Sequence, residues 1–366
     1  MTDYNEPDTR QADHGQAAWD IADALPPVIG PSRFSRETQQ KLLGENMDLL
    51  RGGARYPPAA WTTVTNNSTL VQHLLRLYLC WEYPTFASLS KEHFLLDYNT
   101  GRRSFCTPLL MNAILAMGAR LTDLKEARKD REDPGSAGDH FFEEAQRLLG
   151  VEDLPALTTI QALNLMSLRQ ASLGNDGSGW HYARSAMRIA IDLDLPHDDP
   201  GNQDVETSSP YSQAESQVRA ATFWGCVTLE QYVISKSHTF RLSADLARAW
   251  SLSIGRTSQI SLVDITVKKP IILEELDCER WVPYGDEGFL PDDDRRQDSN
   301  ERLIFTSFST ISELVHRTTV MLHYEKSSLN GKNVLAHYTE YLQWYEGLPD
   351  KLRLGSNSTP VVLLTQ

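Results

Sequence analysis

The stretch from Leu70 to Gly118, LVQHLLRLYLCWEYPTFASLSKEHFLLDYNTGRRSFCTPLLMNAILAMG, constrains the fold more than any other part of the chain. Val71, Leu74, Leu75 and Tyr78 recur at helical spacing, and so do Leu110, Ala113, Ile114 and Met117. Each end of the stretch therefore presents an apolar stripe that must be covered. Between them Trp81, Tyr83, Pro84 and Phe86 make an aromatic break that surface turns rarely carry. The spacing predicts two buried helices joined by an aromatic turn, with Tyr78, Trp81, Phe86, Phe94 and Met117 in the core.

Helical signals then recur to the end of the chain. Asp139 to Leu149 carries Phe141, Phe142, Ala145, Leu148 and Leu149 on one side and stops at Gly150. Thr158 to Leu173 is apolar on most faces, which predicts a central helix. Ser178 to Leu193 places Trp180, Ala183, Met187 and Ala190 in register, with Ser178 as its expected N-cap and Trp180 and Met187 as core. Further helices are expected from Ser216 to about Gln231, from Glu301 to about Lys326 and from Val334 to Tyr345. Strand alternation is scarce, with Ile260 to Val267 the best short candidate. The pattern predicts an all-α domain of packed antiparallel helices over residues 70–366. Residues 1–69, rich in Pro, Gly, Asp and Gln, read as an irregular leader with one weak helical stretch around Ser35 to Arg51.

At 366 residues the chain can bury a sizeable core. Its net charge of -14 opposes binding to a phosphate backbone, and no basic patch is segregated from the acidic residues. Cys80, Cys106, Cys226 and Cys278 are widely spaced with no C-x-x-C pair, so neither a zinc module nor a disulfide framework can be read from them. They are expected to be reduced thiols in an intracellular protein. No window of 18 uninterrupted apolar residues marks a membrane span, and the N-terminus lacks the pattern of a signal peptide.

The order of parts in the opening stretch, apolar helix, Tyr and Trp, YPTFASLSKEHF, then a small-residue helix ending in AMGAR, resembles the regulatory (middle homology) domain of fungal zinc-cluster transcription factors, of the xylanolytic-activator type. GWHYARSAMRIAIDLDLPHDD is similar to a second landmark of that family. A third, R-x-x-x-F-W followed by a helix, G-R and an extended piece ending in Pro, is matched by Arg219, Phe223 and Trp224 and by Ser251 to Pro270. The resemblance implies modulation of transcription in the nucleus through an unknown effector or regulatory protein. It also implies that DNA and zinc binding belong to a zinc-cluster module that this chain does not carry, so no cofactor is expected here. No basic region and no heptad dimerisation segment is read either.

Two departures from the family pattern stand out. Tyr232 to Arg248 interrupts a join expected to be nearly direct. Back-translated, Gln231 to Val233 can encode GTAYGT, Ala244 and Asp245 can supply CTGAC, and Arg248 can supply a terminal AG. The segment then reads as a retained intron of 51 nucleotides; the other reading is a genuine loop insertion. After Trp344, Leu348 and Pro349 the family continues into a long helix. Here Pro360 leads into VVLLTQ, so the domain is expected to be C-terminally truncated, with the apolar residues from Leu354 to Leu364 lacking partners.

No H-E-x-x-H, P-loop or G-x-S-x-G sequence is present, and the histidines are scattered, so no catalytic or metal-binding residue is assigned. Phe223 and Trp224 are expected to pack between helices, with Arg219 paired to a carboxylate such as Glu215 one turn before it. The functional alternative places Arg219, Phe223, Trp224 and Arg256 on the wall of an effector cavity. Two further alternatives are a stand-alone helical interaction scaffold and a gene-model fragment without function of its own.

Overall fold

The computed structural model describes residues 61–151, 155–197, 210–236, 265–270, 277–278, 280–289, 297–323, 330–353, 355 and 359–365; within them, side chains of 210–214, 232–236, 323 and 364–365 are left aside. The described part is mostly helical. The leader up to residue 60, the expected helix at 35–51, Arg256 and most of the 232–248 segment lie outside it.

Packing begins at Trp61, which is buried and lies 6.0 Å from the ring of Tyr98. Helix α1 (Ser68–Leu77) starts where the Asn67 side chain accepts the backbone N–H of Leu70, satisfying one of the donors a helix start leaves free. It passes directly into a π-helical turn, Tyr78–Glu82. The sequence predicts one aromatic turn between α1 and the helix at Leu110. The structure inserts a second helix there, α2 (Lys91–Thr100), closed by Gly101 in the left-handed conformation. Its polar residues Lys91 and Asp97 are buried alongside Phe94, Leu95 and Tyr98, so no clean apolar stripe announces it.

Helix α3 (Pro108–Gly118) is capped by Thr107, has Pro at its first position and is buried from Leu109 through Gly118. It crosses α1 so closely that a Cβ at Gly118 would stand 2.1 Å from the Leu74 carbonyl oxygen; only glycine permits this approach. Helix α4 (Asp139–Leu149) ends at Gly150 as its sequence predicts, with Phe141, Phe142 and Ala145 buried.

Helix α5 (Leu157–Ser172) is the central one, with every residue from Thr158 to Arg169 buried. Helix α6 (Asp176–Asp192) packs antiparallel to it across a short turn. Its N-cap is Asn175 and not Ser178, because the GSG sequence lies inside the first turns. There Gly179 lets the helix rest on the α5 backbone at Ser167 and Ala171, and Ser167 Oγ donates to the Gly179 carbonyl at 2.6 Å.

Helix α7 (Pro210–Lys236) lies against α5 and α6, and α8 (Glu301–His323) packs on α7. Helix α9 (Gly331–Glu346) and a short α10 (Pro360–Thr365) both rest on α8. Short strands form outside the stretch where alternation predicts one. Antiparallel pairs join β1 (Arg280–Trp281) to β4 (Gln297–Asp298) and β2 (Tyr284–Gly285) to β3 (Gly288–Phe289). Residues 265–267 of the expected strand form no ladder; instead the Thr266 and Val267 amides both donate to the Pro196 carbonyl at 2.9 Å.

One core runs from Trp61 through α1–α7 to Tyr284 and Phe305. Tyr78, Phe94, Met117 and Met187 are buried within it, while Trp81, Phe86 and Trp180 are half-buried against it. A satellite cluster joins Ile304, Leu352, Val361 and Val362. The C-terminal apolar residues expected to lack partners are therefore partly covered: Val361 and Val362 are buried against α8, and Leu363 is exposed.

Candidate functional site

Helix α7 carries the candidate residues into the middle of the molecule. Arg219 does not pair with Glu215, which is exposed. Its guanidinium donates to the carbonyls of Leu193 at 3.0 Å and Asp194 at 3.4 Å, at the C-terminal end of α6. A cation there satisfies carbonyls that the helix leaves open and opposes its negative dipole end. One turn on, Phe223 is fully buried, with its ring 5.5 Å from that of Trp224 in an edge-to-face arrangement.

Trp224 is 3% exposed, and its indole N–H has no partner among the described residues. The Lys269 ammonium lies 5.2 Å from its ring centre and reaches on to Thr310 Oγ1 at 3.2 Å and Glu313 at 2.8 Å on α8. Lys269 thus joins the aromatic face of α7 to the polar face of α8. Gly225 lies against Ser88, whose Cα would be 2.5 Å from a Cβ at that position. Cys226 is buried and accepts from Asn164 Nδ2 at 3.2 Å; burial pushes its thiol up to about 12, so it stays protonated and unreactive. Gln161 donates to Thr222 at 2.8 Å, completing a polar seam between α5 and α7. The structure thus brings Arg219, Phe223 and Trp224 onto one helix packed on three others, with Arg256 outside the described residues.

Two further constellations escape sequence reasoning because their members are far apart in the chain. The first is Arg169, a fully buried guanidinium. It donates to the carbonyls of Ala116 at 2.8 Å and Ala137 at 2.9 Å and to Asp139 at 2.6 Å, with the Phe142 ring 5.5 Å away. It fixes the C-terminal half of α3 and the start of α4 to the central helix.

The second is the strap at 280–289. Trp81 Nε1 donates to the Tyr284 carbonyl at 2.7 Å, Trp281 Nε1 donates to the Cys80 carbonyl at 3.1 Å, and the two indoles meet edge to face at 5.3 Å. His73 lies between the Tyr284 hydroxyl at 2.9 Å and the Asp286 carboxylate at 3.0 Å. Asp286 also accepts from Thr122 Oγ1 and from the Asp123 amide. Burial alone would raise its carboxyl, but these donors and His73 hold it below the usual range.

Among the described residues no three His, Cys, Asp or Glu side chains gather as a metal site, and no helix is long and apolar enough to cross a membrane. The four cysteines are free. Most of the buried polar groups described above join helix to helix.

Residues 75–238 match the family model of the fungal specific transcription factor domain. The chain is 34% identical over 315 residues to the nitrogen assimilation transcription factor nirA of Emericella nidulans, and 32% identical over 326 residues to the nitrogen assimilation transcription factor nit-4 of Neurospora crassa. These alignments cover 83% and 84% of this chain but 32% and 27% of those proteins. A more distant relative, the TY1 enhancer activator of Saccharomyces cerevisiae, is 23% identical over 227 residues, covering 58% of this chain and 26% of that protein. The chain spans about a third or less of the length of these relatives. No solved structure matches it. The chain carries a fungal specific transcription factor domain.

Proposed function

We propose that this chain is the middle regulatory region of a fungal transcription factor, acting in the nucleus to modulate a DNA-bound regulator through effector or partner contacts. The long alignment with nirA and nit-4 carries this reading, and their names make nitrogen assimilation the proposed regulated process. DNA and zinc binding fall to a zinc-cluster module, since these four cysteines have no C-x-x-C spacing with which to build one. The face that α7 presents around Arg219, Phe223 and Trp224, together with Arg256, is the proposed place where an effector acts. We further propose that residues 232–248 are a translated intron within a domain spanning 70–366.

The chain fused to a heterologous zinc-cluster DNA-binding domain in a fungal host tests the first proposal. Reporter output should change when the nitrogen source is switched. Constant output from a well-folded fusion would favour the stand-alone scaffold. Sequencing the transcript across codons 231 to 249 tests the second: a message joining Gln231 to Ala249 is expected, and a peptide such as SHTFRLSADLAR in the native protein would refute it.

A further inference from the structure

Helix α9 holds itself on α8 by one face only. Tyr341 lies 3.1 Å from Thr318 Oγ1 and Glu340 pairs with Arg317 at 2.9 Å, yet no residue of the helix is buried. On the adjacent face Val334, Leu335, Tyr338, Leu342 and Tyr345 are all exposed, Leu335 at 64% and Tyr338 at 59%. Leu335, Tyr338, Leu342 and Tyr345 follow the 3-4-3 spacing of a heptad seam. The run is too short to stand out in the sequence as a coiled coil, and only its exposure reveals it. A contiguous apolar stripe containing two tyrosines is the composition of a contact surface.

We propose that this stripe pairs with the same stripe of a second copy of the chain, with the two α9 helices antiparallel. The argument is charge complementarity. Lys332 and Glu346 are exposed and lie at opposite ends of α9. At 100° per residue both fall along the same edge of the apolar stripe, beside Leu335 and Leu342. A twofold axis perpendicular to an antiparallel helix pair keeps that edge on one side. It thereby sets Lys332 of each copy beside the partner's Glu346, twice. Parallel pairing, whose twofold runs along the helices, would set the two edges on opposite sides of the seam and bring neither charge to its complement. Five side chains form a seam well below the roughly 1,600 Å² of a standard stable interface, so the dimer is weak and concentration-dependent. The net charge of -14 repels at long range but is screened beyond about 8 Å at physiological ionic strength.

Sedimentation equilibrium of the full chain from about 1 to about 100 μM is the test. The expected result is a shift from monomer to dimer across that range. Leu342→Asp should raise the dissociation constant at least about tenfold, and Lys332→Glu or Glu346→Lys alone by several-fold. The Lys332→Glu/Glu346→Lys double variant should return to within about twofold of the parent. All three substitutions are at exposed positions, and an unchanged circular dichroism spectrum and melting transition confirm that each of the four variants folds. A monomer at every concentration overturns the proposal and assigns the stripe to a different polypeptide. A dimer indifferent to Leu342→Asp, or a double variant no better than the singles, overturns it as well.

Discussion

Glu92 and Arg302, 210 positions apart in the chain, meet at 2.8 Å, and their immediate neighbours Lys91 and Glu301 meet at 3.0 Å with the charges in the opposite sense. Two consecutive residues at the start of α2 thus hold two consecutive residues at the start of α8. The alternation of sign fixes the register, because a one-residue slip would set like charges together. The side chains are largely shielded from water, so screening by salt is limited.

Arg302→Met should therefore be costly. It leaves the Glu92 carboxylate buried, with the Ser90 hydroxyl but no longer the guanidinium to offset its desolvation. Removing one partner of such a pair typically costs about 3 to 5 kcal/mol, read as a lower midpoint in urea unfolding with the slope unchanged.

The same junction gives a pH signature with two opposed parts. Burial of Asp277 raises its carboxyl from the ordinary 3.8 to about 6, against the lowering influence of the Arg302 amide and charge. Because its folded-state value is raised, its contribution to stability is present below about 3.8 and is lost as pH rises towards 6. Glu92 is the reverse. Burial would raise it, but Arg302 and the Ser90 hydroxyl bring it to about 2, so its contribution is present above 4.5 and lost as pH falls towards 2. Asp277→Asn should flatten unfolding free energy between pH 4 and 6 by on the order of 2 to 3 kcal/mol, leaving the acid limb in place. Chemical denaturation at half-unit pH steps checks both limbs.

At Gly225 the α7 backbone rides on Ser88 with no room for a methyl group. Gly225→Ala must push α7 away from the segment before α2 and should cost about 1 to 3 kcal/mol despite the better helix propensity of alanine. A melting temperature unchanged or raised relative to the parent would show that the two segments separate freely.

Trp224 separates packing from regulation. Trp224→Ala should lose about 3 to 5 kcal/mol, whereas Trp224→Phe, which keeps most of the ring and removes a buried N–H with no partner among the described residues, should lose under about 1.5 kcal/mol. If the indole N–H serves an effector, the Phe variant of the zinc-cluster fusion folds normally and loses its response; retention of the full response assigns the residue to packing alone.

Asp286 holds the strap to the body. Asp286→Ala removes the acceptor for the Asp123 amide, Thr122 and His73. Hydrogen exchange should speed up at Asp123 and across 280–289 while the α5 amides keep their protection. Equal acceleration in α5 would mean that the strap and core open as one unit.

Much of the helical order was legible because single stripes carry it. The span Asp139–Leu149 with its Gly150 stop, and the enclosed character of α5, follow from spacing alone. Helix α2 was not legible, since Lys91 and Asp97 are buried among its apolar residues and find partners that no local pattern reveals. The start of α6 was misplaced for a related reason. Glycine at 177 and 179 signals a turn in isolation, whereas here both lie within the helix and Gly179 lets it touch α5. Arg219 found carbonyls at the end of α6 instead of a carboxylate on its own helix, a choice made by tertiary packing. The ion pairs at 91–92 with 301–302, and the strap on α1, depend on contacts more than 200 residues apart, to which periodicity is blind.

The two indoles where the strap meets the π-helical turn have an optical consequence. Trp81 and Trp281 lie 5.3 Å apart at 83°, close and oblique enough for their excited states to mix. Of the eight tryptophans in the chain, this pair should contribute an exciton couplet to the ultraviolet circular dichroism spectrum. The couplet would collapse when the strap lifts, even with every helix intact. The protein therefore carries its own label-free gauge of that contact.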